Sequence, residues 1–195
     1  MENSVYDNSI LLIGPESASK TKLMRILSEK TNMPTLSLDD SRDKYYKELG
    51  YDRNYANKLK MEEGVLARYK YWKKFEAHHI SRYLPTIKND SIIKFEASQT
   101  VYEDPELFNR VSESIKKFKN VILILPDIDL HESWKIVNKL AKVPTGSDMS
   151  KLNWHLISSP CNSQLATYTT CLAGRNMNDV ADEIINHINA KTIQK

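Results

Sequence analysis

The sequence predicts an α/β fold in which a five-stranded, mostly parallel sheet carries helices on both faces. Short strand-like segments alternate with segments whose apolar residues recur at helical spacing, which is the pattern of parallel βαβ units. The strand segments at residues 10–13 and 121–125 are apolar throughout, as is typical of parallel strands buried on both faces. The first of them runs directly into a glycine-led loop and a helix, the setting of a phosphate-binding loop.

The predicted elements follow this alternation along the chain. The strands are predicted at residues 10–13, 35–38, 91–95, 121–125 and 168–172. The helices outside the long insertion are predicted directly after the loop and at residues 106–118, 130–140 and 177–190. The stretch between residues 140 and 168 is predicted to be a loop, because residues 143–148 have the turn chemistry of a mobile segment.

Residues 14–21 carry a nearly complete phosphate-loop motif. In the pattern GxxxxGK[ST], backbone N–H groups surround phosphates, the lysine neutralises the terminal phosphate and the hydroxyl binds Mg²⁺. Gly14, Lys20 and Thr21 stand at the required spacing, and Ser19 occupies the second glycine position, where a side chain crowds the phosphates. The alternative is an ordinary strand–turn–helix with an exposed lysine. The residues predicted to bind the nucleotide are Gly14, Ser17, Ala18, Ser19, Lys20, Thr21 and Lys22.

Length and composition limit the classes of function. A chain of 195 residues suits one α/β domain, so we predict a single domain over residues 1–195. A formal net charge of +3 with 27% charged residues does not require a nucleic-acid or membrane partner. The sequence shows neither a signal peptide nor a membrane span, which predicts a cytoplasmic location. Cys161 and Cys171 fit no metal or redox spacing and are predicted to be reduced thiols.

Carboxylates follow the second and third predicted strands. Ligands of parallel sheets bind at the carboxyl ends of the strands, which draws attention to Asp39, Asp40 and Glu96. Asp39 is placed to orient or deprotonate an acceptor hydroxyl, and its alternative role is the N-cap of the helix that follows. Asp40 or Glu96 could hold Mg²⁺ through water, with Thr21 as the direct ligand. The alternative for Glu96 is a surface charge.

Residues 41–84 form a helical insertion that is rich in tyrosine and basic residues, with seven of the ten tyrosines of the chain. One interpretation is an amphipathic segment whose rings pack on the sheet and whose lysines are solvated. The other is a substrate-binding subdomain in which Arg68, Lys73 or Lys74 reaches an anion beside an aromatic ring.

In this order of features the chain resembles the shikimate-kinase-like branch of the P-loop nucleoside-monophosphate kinase superfamily. The resemblance covers nearly the whole chain and rests on the loop at residues 14–21, on Leu38-Asp39-Asp40, and on residues 47–52, 98–104, 121–129 and 159–166. It implies a three-layer P-loop NTPase fold with a helical substrate-binding insertion at residues 41–84 and a lid-like region at residues 139–155. It also implies ATP and Mg²⁺ as cofactors and a small-molecule acceptor as partner.

The sequence also departs from that pattern. Only the second carboxylate of the usual Asp-x-Asp pair is present, in Ser37-Leu38-Asp39, and residues 95–98 replace a glycine-rich turn. Residues 139–155 contain no arginine, so a lid would have to use Lys139, Lys142 or Lys151, whose point charges match phosphate less well.

Three functions therefore remain open at this stage. The first is an ATP-dependent small-molecule kinase that transfers the γ-phosphoryl group to a hydroxyl or phosphate acceptor, with Lys20 and Asp39 catalytic and Asp39, Arg68 and Glu96 binding the acceptor. The second is a catalytically weakened nucleotide-binding regulatory or interaction protein. The third is a nucleic-acid-end kinase or binder that uses the basic insertion, although the charge balance makes nucleic acid the least favoured partner.

Overall fold

The structure is a computed structural model that describes residues 8–15 and 18–193. Within these ranges one sheet contains five strands: β1 (Ile10–Ile13), β2 (Thr35–Ser37), β3 (Ile92–Lys94), β4 (Asn120–Leu125) and β5 (Tyr168–Cys171). The spatial order is β2-β3-β1-β4-β5, and every neighbouring pair is parallel. The predicted five-stranded sheet is thus confirmed, with β1 at its centre.

The helices of the described residues connect these strands. They are α1 (Ala18–Thr31), α2 (Leu38–Glu48), α3 (Arg53–Glu62), α4 (Val65–Tyr83), α5 (Pro105–Ile115), α6 (Leu130–Leu140), α7 (Asp148–Ser158), α8 (Pro160–Leu165) and α9 (Met177–Ile193), with short 3₁₀ helices at Leu84–Thr86 and Ala97–Thr100. A search of the described helices finds none with the length and apolar character of a membrane span.

The sheet separates two apolar layers because successive side chains of a strand point to opposite faces. On one face Ile10 and Leu12 pack with Leu27 of α1 and Ile184 of α9. On the other face the alternate strand residues pack with residues of α2, α4, α5 and α8: Leu11, Ile13, Ile93, Phe95, Val121, Leu123, Leu38, Ala77, Ile80, Val111 and Leu165. The expected three-layer architecture, with helices on both faces of the sheet, is therefore present.

The insertion consists of α2, α3 and α4, and most of its rings pack against one another. Tyr46, Tyr51, Tyr71 and Phe75 form edge-to-face and tilted contacts with ring centroids 5.0–5.7 Å apart. Such pairs contribute beyond their buried area. These rings join α2 to α4 and pack against one another, whereas the packing interpretation expected them to pack on the sheet.

The stretch between α6 and β5 differs from its predicted loop character, because it contains α7 and α8. The Oγ of Ser147 accepts a hydrogen bond from the N–H of Ser150 at 3.2 Å and so caps α7. Leu152 and Leu156, one helical turn apart, are buried. The turn residues 143–148 mark only the entry to α7, so the prediction extended a local signal too far along the chain. Similarly, the strand predicted at residues 35–38 ends one residue early, and Leu38 begins α2.

Candidate phosphate-loop and acceptor site

The phosphate loop starts at Gly14, directly after β1, in a conformation reserved for glycine. Its φ is +122°, and a Cβ built there would lie 2.4 Å from the backbone oxygen of Ile124 in β4. Contacts this short are not found for real side chains, so only glycine fits at this position. The backbone of the loop therefore lies in close contact with β4 where it leaves β1. Gly14 therefore fixes the path on which the loop begins.

Lys20, the third residue of α1, is buried to 1% exposure and reaches back over the loop. Its Nζ donates to the carbonyl oxygens of Gly14 at 2.6 Å and Phe95 at 2.9 Å. These carbonyls lie directly after β1 and β3, so the ammonium group sits at the carboxyl edge of the sheet, where parallel sheets bind ligands. A fully buried lysine needs such partners, and the strand-turn-helix alternative with an exposed lysine does not fit this geometry.

The other predicted loop residues lie at the start of α1, apart from Ser17, which is outside the described residues. Ala18 and Ser19 are the first two residues of the helix, where free backbone N–H groups and the helix dipole favour an anion. Thr21 and Lys22, the fourth and fifth residues of α1, are exposed. Ser19 has a helical backbone, so its position does not require glycine for conformational reasons.

The turn after β3 is held in place by its own side chains. Glu96 caps the 3₁₀ helix Ala97–Thr100, its backbone N–H donates to Oε1 of Gln99 at 2.8 Å, and its carboxylate pairs with Lys94 at 2.7 Å. The side chain of Glu96 is 21% exposed. The surface-charge interpretation of Glu96 is therefore incomplete, because this carboxylate borders the cavity described below and also shapes the turn.

A buried ion pair supports the same turn from α4. Lys73 pairs with Glu76 and also donates to the carbonyl oxygen of Ser98, and the Oγ of Ser98 donates to Glu76 at 2.5 Å. Lys73 and Glu76 are 5% and 3% exposed. Lys73 was one of three cations predicted to reach an acceptor anion, but its charge is already neutralised inside the protein. Its role is to fix the turn, and the sequence could not distinguish these roles because lysine is common on helix surfaces.

Asp39 lies at the second position of α2, so it does not cap that helix; the N-cap is Ser37, without a side-chain cap bond. Both oxygens of Asp39 accept from Nη1 of Arg42, at 3.1 and 3.2 Å. Burial raises the pKa of Asp39, Arg42 opposes the shift, and the charge of Glu96 adds to it. Asp39 is thus within electrostatic reach of Glu96, near the carboxyl edge of the sheet.

Asp40 and His79 occupy different surroundings. Asp40 is exposed, and its charge adds to the burial that raises the pKa of Tyr83, the last residue of α4. No group of three or more histidine, cysteine, aspartate or glutamate side chains within the described residues could hold a metal ion by itself. His79 is buried between Tyr45 and Tyr83.

A cavity of about 430 Å³ lies beside this edge, between α4, α6, α7 and the turn after β3. Both Arg68 and Glu96 line it, so the structure brings these two predicted acceptor-binding residues to one cavity. The guanidinium of Arg68 stacks over the ring of Trp72 at 4.5 Å, and its buried Nε has no hydrogen-bond partner among the described residues. Lys74, the third predicted cation, is exposed beside Tyr71 and Phe75.

Helix α7 forms one wall of the cavity. It is joined to α4 by a hydrogen-bond network that the sequence analysis did not predict. Glu103 accepts from the hydroxyl of Tyr69 at 2.9 Å and contacts the ring Nε2 of His155. Burial opposes ionisation of Glu103, but these hydrogen bonds outweigh it and lower the pKa of that carboxyl. Residues 139–155 thus contribute apolar side chains to the cavity wall. Lys139, Lys142 and Lys151 are exposed and do not line the cavity.

Comparisons with known proteins address the fold. No protein-family model matches the sequence, and no curated protein matches it either. Among solved structures, a shikimate kinase from Acinetobacter baumannii in complex with shikimate is 16% identical, with 94% of each chain covered and a TM-score of 0.58. A shikimate kinase from Aquifex aeolicus vf5 is 17% identical, with 96% of this chain and 99% of that chain covered and a TM-score of 0.57.

A gluconokinase from Sinorhizobium meliloti 1021 is similar in the same way. It is 12% identical, with 95% of this chain and 93% of that chain covered and a TM-score of 0.53. At such low identity a structural likeness establishes the fold and leaves the substrate open. The chain therefore has the three-layer α/β P-loop fold that is found in shikimate kinase and gluconokinase.

Proposed function

We propose that the protein is an ATP-dependent kinase that transfers the γ-phosphoryl group to a hydroxyl or phosphate group of a small molecule. The observation that carries this proposal is the position of Lys20. Its ammonium group joins the start of the phosphate loop, at Gly14, to Phe95, whose neighbour Glu96 borders the cavity. A phosphate group bound at Lys20 would therefore lie next to a cavity of metabolite size. Similarity in fold to proteins named shikimate kinase and gluconokinase supports the same class of reaction.

The nucleotide side of the reaction rests on residues 14–22. Backbone N–H groups at the start of α1, with Ser17, Ala18, Ser19 and Lys22, would surround the phosphates, and Lys20 would neutralise the charge on the β and γ groups. Mg²⁺ prefers oxygen ligands and keeps several waters. The exposed hydroxyl of Thr21 and the carboxylates of Asp40 and Glu96 fit that preference. Bound Mg²⁺ would shield the phosphate charge.

The acceptor side rests on Asp39, Arg68 and Glu96. As the bond from the γ-phosphorus to the bridging oxygen breaks, its electron pair leaves with ADP and a new bond forms to the acceptor oxygen. A hydroxyl acceptor releases a proton, which Asp39 would take. Burial raises the pKa of Asp39 and so favours proton uptake. Arg68 would hold an anionic group of the acceptor.

In this proposal the three parts belong to one cytoplasmic kinase domain over residues 1–195. Residues 41–84 would form the substrate-binding insertion, and residues 139–155 would act as a lid in which apolar side chains replace arginines. A nucleotide-binding protein without turnover is the main alternative, and acceptor transfer distinguishes the two.

Transfer can be measured with γ-labelled ATP, Mg²⁺ and a panel of small hydroxy acids, sugars and nucleoside monophosphates. We expect one class of acceptor to become labelled and to increase ADP formation. Lys20→Met should lose the transfer, whereas Arg25→Met, which changes an exposed cation on the same helix, should retain it. ATP binding without label transfer to any acceptor would favour the non-catalytic alternative.

A further inference from the structure

We propose that the cavity binds a small acid with a flat, apolar body, such as a hydroxylated aromatic acid, and discriminates against acids with a polyhydroxylated body. This inference rests on the proposed function, because it assigns a substrate class to the acceptor site. It is carried by the chemistry of the cavity wall, which among the described residues offers one available cation and few other available polar groups.

Arg68 is the group that selects an acid. The guanidinium carbon lies 4.5 Å from the centroid of the Trp72 ring, and the indole Nε1 of Trp72 donates in turn to the hydroxyl of Tyr51 at 2.9 Å. These contacts hold the guanidinium beside the ring before a ligand arrives. Its buried Nε has no hydrogen-bond partner among the described residues, which is costly unless a ligand supplies an acceptor. A carboxylate matches this planar donor edge with two parallel hydrogen bonds.

Most of the remaining polar side chains of the wall already have partners inside the protein. The hydroxyl of Tyr69 donates to Glu103, the hydroxyl of Ser98 donates to Glu76, and the amide of Asn153 donates to Asn138 at 2.8 Å. Glu96 pairs with Lys94, but its carboxylate keeps lone pairs for one ligand hydroxyl. A ring that carries several hydroxyl groups would lose its water without gaining enough new partners.

The rest of the wall is apolar, and most of it comes from three helices. Its larger members include Val65, Trp72, Val137, Met149, Leu152 and Leu156. Burying a flat hydrocarbon surface against these side chains is favourable, and it requires no further polar group from the protein. The volume of about 430 Å³ falls in the lower part of the range for small-molecule sites and suits a body of about one ring.

The polar rim at Glu96 gives the acid an orientation. Glu96 follows Phe95, whose carbonyl accepts from Lys20, so this side of the cavity faces the phosphate loop. With its carboxylate on Arg68, a hydroxyl on the ring would be left to face Glu96, which lies within electrostatic reach of Asp39. The proposal therefore requires an acid that carries both a carboxylate and a hydroxyl.

The test measures binding without nucleotide by isothermal titration calorimetry, so that it does not depend on turnover. The probes are 3-hydroxybenzoate, its uncharged counterpart 3-hydroxybenzyl alcohol, and glucuronate as a ring acid with several hydroxyl groups. We expect 3-hydroxybenzoate to bind at least about tenfold more tightly than either of the others. The benzyl alcohol lacks the charge-assisted pair with Arg68, and glucuronate would bury several hydroxyl groups without partners.

Three variants assign the effect to the cavity. Arg68→Gln should weaken 3-hydroxybenzoate binding by about ten- to a hundredfold. Met149→Gln keeps the volume of a half-buried wall residue but makes it polar. This variant should bind 3-hydroxybenzoate more weakly, and the ratio of its affinities for 3-hydroxybenzoate and glucuronate should be smaller than in the wild type. Arg53→Gln removes an exposed cation of the same insertion and should change nothing. Thermal melting of each variant verifies that it is folded.

The outcomes separate this inference from the proposed function. Selective binding of 3-hydroxybenzoate that depends on Arg68 and Met149 supports the inference, even if no phosphoryl transfer follows. Equal or tighter binding of glucuronate overturns it, as does the absence of saturable binding of 3-hydroxybenzoate at millimolar concentration. Loss of the proposed function would appear separately, as absence of label transfer from ATP.

Discussion

The Nζ of Lys20 donates to the carbonyl oxygen of Phe95 at 2.9 Å, across the gap between the phosphate loop and the turn after β3. The two residues are 75 positions apart in sequence. Their contact joins the two halves of the candidate site, because Phe95 precedes the cavity-lining Glu96. Movement of this turn on acceptor binding would therefore shift the ammonium group of Lys20, which is expected to hold the transferred phosphate.

Lys20→Met should weaken ATP binding by about 1.5–3 kcal/mol, the usual cost of removing one charge-assisted contact. The methionine keeps most of the side-chain volume at a position that is 1% exposed, so the fold should survive. Titration calorimetry with a non-hydrolysable ATP analogue measures the effect. Arg25→Met on the outer surface of α1 is the control, and equal affinities of wild type and Lys20→Met would refute the phosphate-loop assignment.

Gly14→Ala should cost about 3 kcal/mol or more of unfolding free energy, because its Cβ would meet the backbone of β4 at 2.4 Å in a conformation that suits only glycine. Gly50→Ala is the matched control. Gly50 also has a positive φ, +71°, but a Cβ there has open space, so only the backbone cost of about 1 kcal/mol remains. Urea unfolding compares the two variants. A Gly14→Ala cost no greater than that of Gly50→Ala would show that the loop does not need its close contact with β4.

The sequence predicted the sheet and the loop well because both follow local rules. Strand β1 and helix α6 were located to the residue, since an unbroken apolar run and a helical repeat are periodic signals. Helix α7 was missed because its polar, turn-like beginning conceals leucines that are buried only through tertiary contacts, with α4 and with residues 97–101. Propensity does not carry such tertiary information.

The candidate site was predicted less completely, for a related reason. Strand ends identified Asp39 and Glu96, whose relation to the sheet is fixed by topology. The distinction between Arg68 and Lys73 depends on which face of α4 meets the turn after β3, and both residues are basic members of the same helix.

The pH dependence of stability should include a contribution from His79. Burial, with Arg42 and His78 adding to it, lowers the pKa of His79 from 6.5 to about 4. The folded protein therefore binds fewer protons than the unfolded chain between these values, so this contribution is complete above pH 6.5 and is lost as the pH falls toward 4. We expect a loss of about 1 to 3 kcal/mol of unfolding free energy from this residue.

His79→Phe keeps the ring stacked with Tyr45 and Tyr83 and removes the titrating group. Urea unfolding at pH 7 and pH 4.5 should show a smaller decrease for this variant than for the wild type, whatever its absolute stability. His131→Phe, at an exposed position of α6, should leave the decrease unchanged. Equal decreases in the wild type and His79→Phe would mean that His79 is already protonated in the folded protein at mildly acidic pH.

Asp39→Asn should reduce acceptor-stimulated turnover by ~10² to 10⁴, the usual contribution of a positioned general base. Burial raises the pKa of Asp39, so its contribution to stability is present below the unfolded pKa of 3.8 and is lost as the pH rises through the folded value. At pH 7 the charged carboxylate of Asp39 thus lowers the free energy of unfolding. Its half-exposed ion pair with Arg42 offsets this loss only in part. The melting temperature of Asp39→Asn should therefore be equal to or slightly above that of the wild type.

Asp43→Asn provides the control for Asp39→Asn, since Asp43 is an exposed carboxylate on the same helix that pairs with Arg53 at 3.6 Å. It should leave both turnover and melting temperature unchanged. A large decrease in melting temperature with full turnover in Asp39→Asn would make Asp39 structural. Reduced turnover without a change in melting temperature is the combination that a structural role cannot produce, because a residue that only supports the fold affects the rate through the population of folded protein.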